Sequence, residues 1–197
     1  IVLGYIIMLA RQLHQLDQSV RMVKWAKIQG VTLRGKTLGV VGMGSIGREV
    51  VRRAVAFGMV PVGHDIAEIS PSFVAETGLR AVGLEELLRN SDFISLNCNL
   101  TPENRHLLSY QQFDIMKPGV HIINAARGPL IDEVALSQGL LQGKVAGAAL
   151  DVFEEEPLPL DSPLRQFDTC IFGTHNGSNT REAVLRVNVL AINNLFE

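Results

Sequence analysis

Six residues, Gly42-Met43-Gly44-Ser45-Ile46-Gly47, constrain this chain more than any other stretch. They follow a short apolar run, Leu38-Gly39-Val40-Val41, and open a segment from Ile46 to Phe57 with helical spacing. The G-x-G-x-x-G pattern alone is weak, because glycines are common in turns. Between a buried strand and a helix it becomes a dinucleotide-binding arrangement. Gly42 permits a tight turn, Gly44 lets backbone approach a pyrophosphate, and Gly47 lets the helix pack close to the strand. The helix start adds free N–H groups and a partial positive charge. Asp65 lies 18 residues beyond Gly47, after a second apolar run, Met59-Val60-Pro61-Val62-Gly63. A carboxylate there accepts from ribose hydroxyls and repels a 2′-phosphate, so NAD is favoured over NADP. His64 beside it reads as a solvated loop residue.

Further apolar runs lie at Phe93 to Leu96, Val120 to Ile123, Val145 to Leu150 and Cys170 to Phe172. Helical patterns sit around 71–77, 84–89, 109–116 and 132–142, with a last helix from Arg181. This alternation predicts an α/β fold, a Rossmann-type doubly wound parallel sheet with helices on both faces. Pro61 belongs at its strand's start, since proline cannot donate to a central ladder. Residues 2–13 and 17–28 read as two helices, with Asp17 and Ser19 as capping candidates and Met22, Val23 and Trp25 as an apolar stripe.

A length of 197 residues fits one large domain or two small ones. A net charge of -2 excludes the basic surface that general nucleic-acid binding needs. The first run, Ile1 to Ala10, is about half a membrane span and lacks the basic flank of a signal peptide. It reads as a buried helix needing a partner surface, and both ends read as cut from a longer protein. Cys98 and Cys170 read as reduced thiols in a cytoplasmic protein. No metal site is expected.

Three polar clusters follow strand runs, where open α/β sheets place ligands. They are Asn124-Ala125-Ala126-Arg127-Gly128, Asp151 to Pro157, and Thr174-His175-Asn176-Gly177-Ser178. Singly they are ordinary: a surface arginine, an acidic loop, a solvated histidine. Together, downstream of a dinucleotide turn, they fit the oxidation of a 2-hydroxy acid. That reaction needs an anion clamp, a base and a hydride acceptor. Arg127 would grip the substrate carboxylate with two parallel N–H donors. His175 would take the hydroxyl proton, and Glu156 would orient the imidazole and stabilise its charged form. NAD would take the hydride.

The run Leu33-Arg34-Gly35-Lys36-Thr37-Leu38-Gly39-Val40-Val41 with the glycine turn resembles the start of the cofactor domain of D-isomer-specific 2-hydroxyacid dehydrogenases. So do Met116-Lys117-Pro118-Gly119, Asn124 to Gly128 followed by Asp132-Glu133, and Ala149-Leu150-Asp151-Val152-Phe153 with Glu155-Glu156-Pro157. The resemblance covers nearly the whole chain and is closest to the phosphoglycerate dehydrogenase-like members. It implies that Arg127 binds substrate and that Glu156 and His175 form the catalytic pair. It implies that Asp151 contacts the nicotinamide carboxamide, that Ser45 and Ile46 lie at the diphosphate, and that Asp65 holds the ribose. Cys98 would lie where a strand-end loop passes the cofactor. Ala125 and Ala126 would give backbone contacts near the nicotinamide, and Gly177 would follow in the loop closing over it.

The chain departs from the family in two turns. Asn97-Cys98-Asn99 stands where many members have a His-x-Pro turn, and Thr174 where many have a proline before the histidine. Formate dehydrogenases carry glutamine where this chain has Glu156. The resemblance also implies a second, flavodoxin-like substrate domain, largely absent from this stretch. Residues 1–197 would then be the NAD-binding domain, with 1–30 as crossover and dimerisation helices of a homodimer. Substrate would sit between the two domains, so this stretch alone would turn over feebly or not at all. The alternative is a non-enzymatic NAD(H)-dependent binding protein like the corepressors of this fold.

Overall fold

Strands that read as continuous apolar runs must be covered on both faces. A computed structural model, which describes residues 1–196, covers them in that way. The strands are β1 (Thr37–Val41), β2 (Val60–His64), β3 (Arg80–Ala81), β4 (Phe93–Leu96), β5 (Val120–Asn124), β6 (Val145–Leu150) and β7 (Cys170–Phe172). They form one sheet in the order β3-β2-β1-β4-β5-β6-β7, every pair parallel. The helices are α1 (Val2–Arg11), α2 (Leu13–Arg21), α3 (Ser45–Ala56), α4 (Pro71–Thr77), α5 (Leu84–Asn90), α6 (Tyr110–Ile115), α7 (Glu133–Leu141) and α8 (Arg181–Phe196).

Successive strand residues point to opposite faces, and two cores result. Val40, Phe93, Ile123 and Ala149 meet α1, α3 and α4 on one face. Val41, Ile94, Ile122 and Ala148 meet α5, α6 and α7 on the other. This is the doubly wound arrangement the sequence predicts. The helices 71–77, 84–89, 109–116 and 132–142 appear within a residue or two of their expected ends.

Several local expectations are corrected. α1 and α2 meet at Gln12, whose left-handed backbone (φ 50°) breaks the helix. Asp17 and Ser19 therefore lie inside α2 and cap nothing there; Asp17 pairs with Arg21 at 2.6 Å instead. Met22, Val23 and Trp25 lie beyond the helix, and Trp25 is 84% exposed, so they form no packed stripe. The apolar side of α1 needs no outside partner: Tyr5, Ile6, Leu9 and Ala10 are buried within the chain's own core. His64 is the last residue of β2, not a loop residue, and its Nδ1 lies 3.1 Å from the Val82 carbonyl. Pro61 is the second residue of β2, tolerated because β3 pairs only from Val62 onward. No helix among the described residues is long and apolar enough to cross a membrane.

Ile6 is fully buried. Ile6→Ala should lower the stability of this chain by about 2–5 kcal/mol in urea unfolding. An unchanged midpoint would mean that α1 does not pack on this sheet in solution.

Candidate active site

The strand order reverses between β1 and β4, the place where open parallel sheets leave a crevice above their carboxyl ends. Gly42 leaves β1 with φ +91°, and a Cβ there would lie 2.6 Å from the Cys98 amide nitrogen. The loops above β1 and β4 thus meet backbone to backbone. A Cβ on Gly47 would lie 2.0 Å from the Gly42 carbonyl oxygen, so α3 rests directly on the turn. Gly44 differs: a Cβ there would meet nothing within 4 Å. Its bareness serves no contact inside the protein and leaves the approach to α3 clear.

No side chain caps α3, and its first turn holds no acidic residue. Its hydrogen bonding begins with the Arg48 N–H on the Gly44 carbonyl at 3.1 Å. The earlier amides, at Ser45, Ile46 and Gly47, stand at the positive end of a 12-residue helix. Asp65, half-buried just past β2, accepts the Met43 N–H at 2.6 Å and the Ala67 N–H at 2.9 Å. It therefore locks the glycine turn to the end of β2, a role sequence reasoning missed. Each of its oxygens keeps a second lone pair for a further donor. An uncapped helix start, a glycine with open space above it and an adjacent carboxylate fit a dinucleotide.

A cleft of about 680 Å³ runs from Ser45 and Ile46 past Cys98, Ala125 and Ala126 to Arg127, Asp151, His175 and Gly177. His175 Nδ1 lies 2.8 Å from Glu156 Oε2, and Glu156 Oε1 accepts the Phe153 N–H at 3.0 Å. The hydrogen bond from His175 holds the Glu156 carboxyl below the usual range, helped by the charge of Arg127. An ionised Glu156 can only accept, so the shared proton belongs on Nδ1 and Nε2 keeps its lone pair. His175 itself has a left-handed backbone (φ 55°). That costs on the order of 1–3 kcal/mol in a non-glycine residue and is typical of functional sites. Its N–H donates to the Asp151 carbonyl at 2.6 Å.

Arg127 is exposed, and its Nη1 donates to the Ala126 carbonyl at 2.6 Å. Buried Asn124 shapes its loop, donating to the Arg127 carbonyl and accepting the Ala126 N–H. A Cβ on Gly128 would overlap the Phe153 carbonyl, so the arginine loop sits directly on the loop carrying Glu156. Burial pushes the Cys98 thiol pKa up, keeping it a neutral wall of the cleft. Gly42, Gly44, Gly47, Asp65 and Glu156 are not among the residues that line it.

The structure adds a clamp that the sequence did not announce. The Glu133 N–H donates to Glu154 Oε1 at 3.1 Å, and the Glu154 N–H donates to Glu133 Oε1 at 2.7 Å. Arg105 and His106 hold the other Glu154 oxygen. Glu154 thus ties the loop before Glu156 to the start of α7. The Asp132-Glu133 pair was visible as part of a motif, but nothing in it pointed to Glu154. A second cavity, about 250 Å³, lies between His14 and His121 at the amino ends of β5 to β7, away from all these residues.

The fold is shared with known proteins. The family profile described as D-isomer specific 2-hydroxyacid dehydrogenase, NAD binding domain, matches residues 3–177. The chain is 45% identical over 185 residues to D-3-phosphoglycerate dehydrogenase of Methanocaldococcus jannaschii, covering 92% of this chain and 35% of that protein. The crystal structure of a glyoxylate reductase from Paecilomyes thermophila superposes with a TM-score of 0.92 at 39% identity, covering 98% of this chain and 59% of that one. D-lactate dehydrogenase from Aquifex aeolicus, solved with NAD and lactic acid, gives 0.90 at 29% identity, covering 98% and 63%. The chain spans about a third of the length of the curated relatives it matches first.

The three glycines should respond differently to one methyl group. Gly47→Ala, forced against a carbonyl, should cost about 1–3 kcal/mol in urea unfolding. Gly44→Ala, facing open space, should stay within about 1 kcal/mol of wild type. Equal losses would mean that Gly44 is bare for internal packing and not for a ligand.

Proposed function

The chain belongs to the D-isomer-specific 2-hydroxyacid dehydrogenase family, matching its NAD-binding domain, and on that premise we propose that the full-length protein interconverts a D-2-hydroxy acid and its 2-keto acid with NAD as cofactor. The observation that carries this is the His175–Glu156 pair beside Arg127, on the same cleft that begins at the bare start of α3. 3-Phosphoglycerate is the first substrate to try, in view of the 45% identity to a D-3-phosphoglycerate dehydrogenase.

In this reading the amides of α3 and the Asp65 carboxylate hold the dinucleotide, with Asp151, Ala125, Ala126 and Cys98 around its nicotinamide end. When bound, NAD supplies the hydride acceptor. Arg127 binds the substrate carboxylate and turns the adjacent carbon toward His175. His175 Nε2 accepts the hydroxyl proton as the carbon is oxidised and returns it in the reverse direction. Glu156 keeps the ring oriented and stabilises its positive form.

The substrate domain, the other wall of the cleft, belongs to the proposal. Its place is supported by the exposed apolar side chains of α8, among them Leu185, Val187 and Leu190. A homodimer through residues 1–30 is supported by the exposed Met22, Val23 and Trp25. The two free thiols suit a cytoplasmic setting. With one wall missing, water exclusion and substrate orientation are lost, so residues 1–197 alone should turn over feebly.

The test is a panel of 2-hydroxy and 2-keto acids on the full-length protein, read as NADH absorbance. Turnover of at least one acid is expected. Arg127→Ala and His175→Ala should each lower kcat/KM by about a hundredfold or more while NADH still binds. Glu156→Gln should lower kcat/KM while NADH binding stays unchanged, because the ring loses the charged acceptor that orients it. Tight NADH binding with no turnover of any acid would favour the corepressor-like reading instead.

A further inference from the structure

We propose that Tyr5, on α1, is a positioning residue for the nicotinamide end of the cleft, acting through the carboxylate of Asp151. The inference rests on the cofactor reading above and goes beyond it, since no motif singles out this tyrosine.

Asp151 follows β6 and is almost wholly buried, yet it lines the cleft. Its Oδ2 accepts the Gly177 N–H at 2.6 Å, and its main-chain oxygen accepts the His175 N–H at 2.6 Å. These bonds fix the loop but leave Oδ1 without a main-chain donor. The Tyr5 hydroxyl donates to Oδ1 at 3.2 Å across 146 residues of sequence. Tyr5 cannot drift, because α1 is anchored by the buried Ile6 and Leu9 below the same strands.

The space for this meeting is created by a missing side chain. A Cβ on Gly173 would lie 2.1 Å from Asp151 Oδ1 and 2.5 Å from the Tyr5 hydroxyl. Burial and the Asp151 charge push the Tyr5 pKa up to about 12, so the hydroxyl stays a donor at any working pH. With both oxygens tied, the carboxylate keeps one orientation, and its remaining lone pairs suit the N–H donors of a carboxamide. Tyr5 therefore links α1 to the group that would orient the reacting ring, and through Gly177 and His175 to the catalytic loop.

The probe is a pair of ligands, NADH and ADP-ribose, titrated by calorimetry into full-length wild type and Tyr5→Phe. ADP-ribose keeps the diphosphate and both riboses but lacks the nicotinamide. The loss of one hydrogen bond to a charged acceptor should weaken NADH about three- to tenfold. ADP-ribose affinity should stay within about twofold, because its contacts lie at α3 and Asp65. Unchanged NADH affinity would overturn the proposal. So would equal weakening of both ligands, which marks general loosening. A wild type that binds neither ligand would sink the cofactor reading itself and this inference with it.

Discussion

At the centre of the sheet the chain above β1 lies against the backbone at Cys98, and it can do so only because residue 42 has no side chain. The second close approach, Gly47 against the Gly42 carbonyl, seats α3 on that turn. Both contacts are too short for any Cβ, and together they bring a bare helix start to the point where the strand order reverses. Asp65 then fastens the turn through the Met43 N–H. These contacts fix the end of the cleft where the dinucleotide is proposed to bind. The remaining strand ends only have to deliver their loops to the same rim.

They deliver them through shared carboxylate residues, Asp151 buried and Glu154 half-buried. Asp151 receives Tyr5, Gly177 and His175, and Glu154 receives Glu133, Arg105 and His106. A buried polar group left without a partner costs about 1–3 kcal/mol. The left-handed backbone of His175 costs a similar amount. The bond from its N–H to Asp151 is therefore of the right size to hold the strain. The geometry of the histidine follows from the Asp151 main-chain carbonyl below it as much as from its own loop.

The sheet was legible because strands covered on both faces leave unbroken apolar runs, and each of those runs became a strand. β3 escaped notice because Arg80 and Ala81 are two exposed residues with no pattern to carry. The His175–Glu156 pair and Arg127 could be read as a set because strand ends converge on one rim. Tyr5 and Glu154 could not, since their contacts are tertiary and leave no spacing in the sequence. The apolar face of α1 was equally visible, but hydrophobicity does not say what covers it. Here the chain's own β5 and β6 do.

The central claim is that the turn at 42–47 and the carboxylate of Asp65 accept a dinucleotide whose ribose carries free hydroxyls. Side-by-side calorimetric titration of this chain with NADH and NADPH tests it most directly. One NADH site per chain is predicted, with NADPH at least about tenfold weaker, since a phosphate would face the carboxylate. A folded sample giving no response to NADH, or equal affinity for the two, would contradict it.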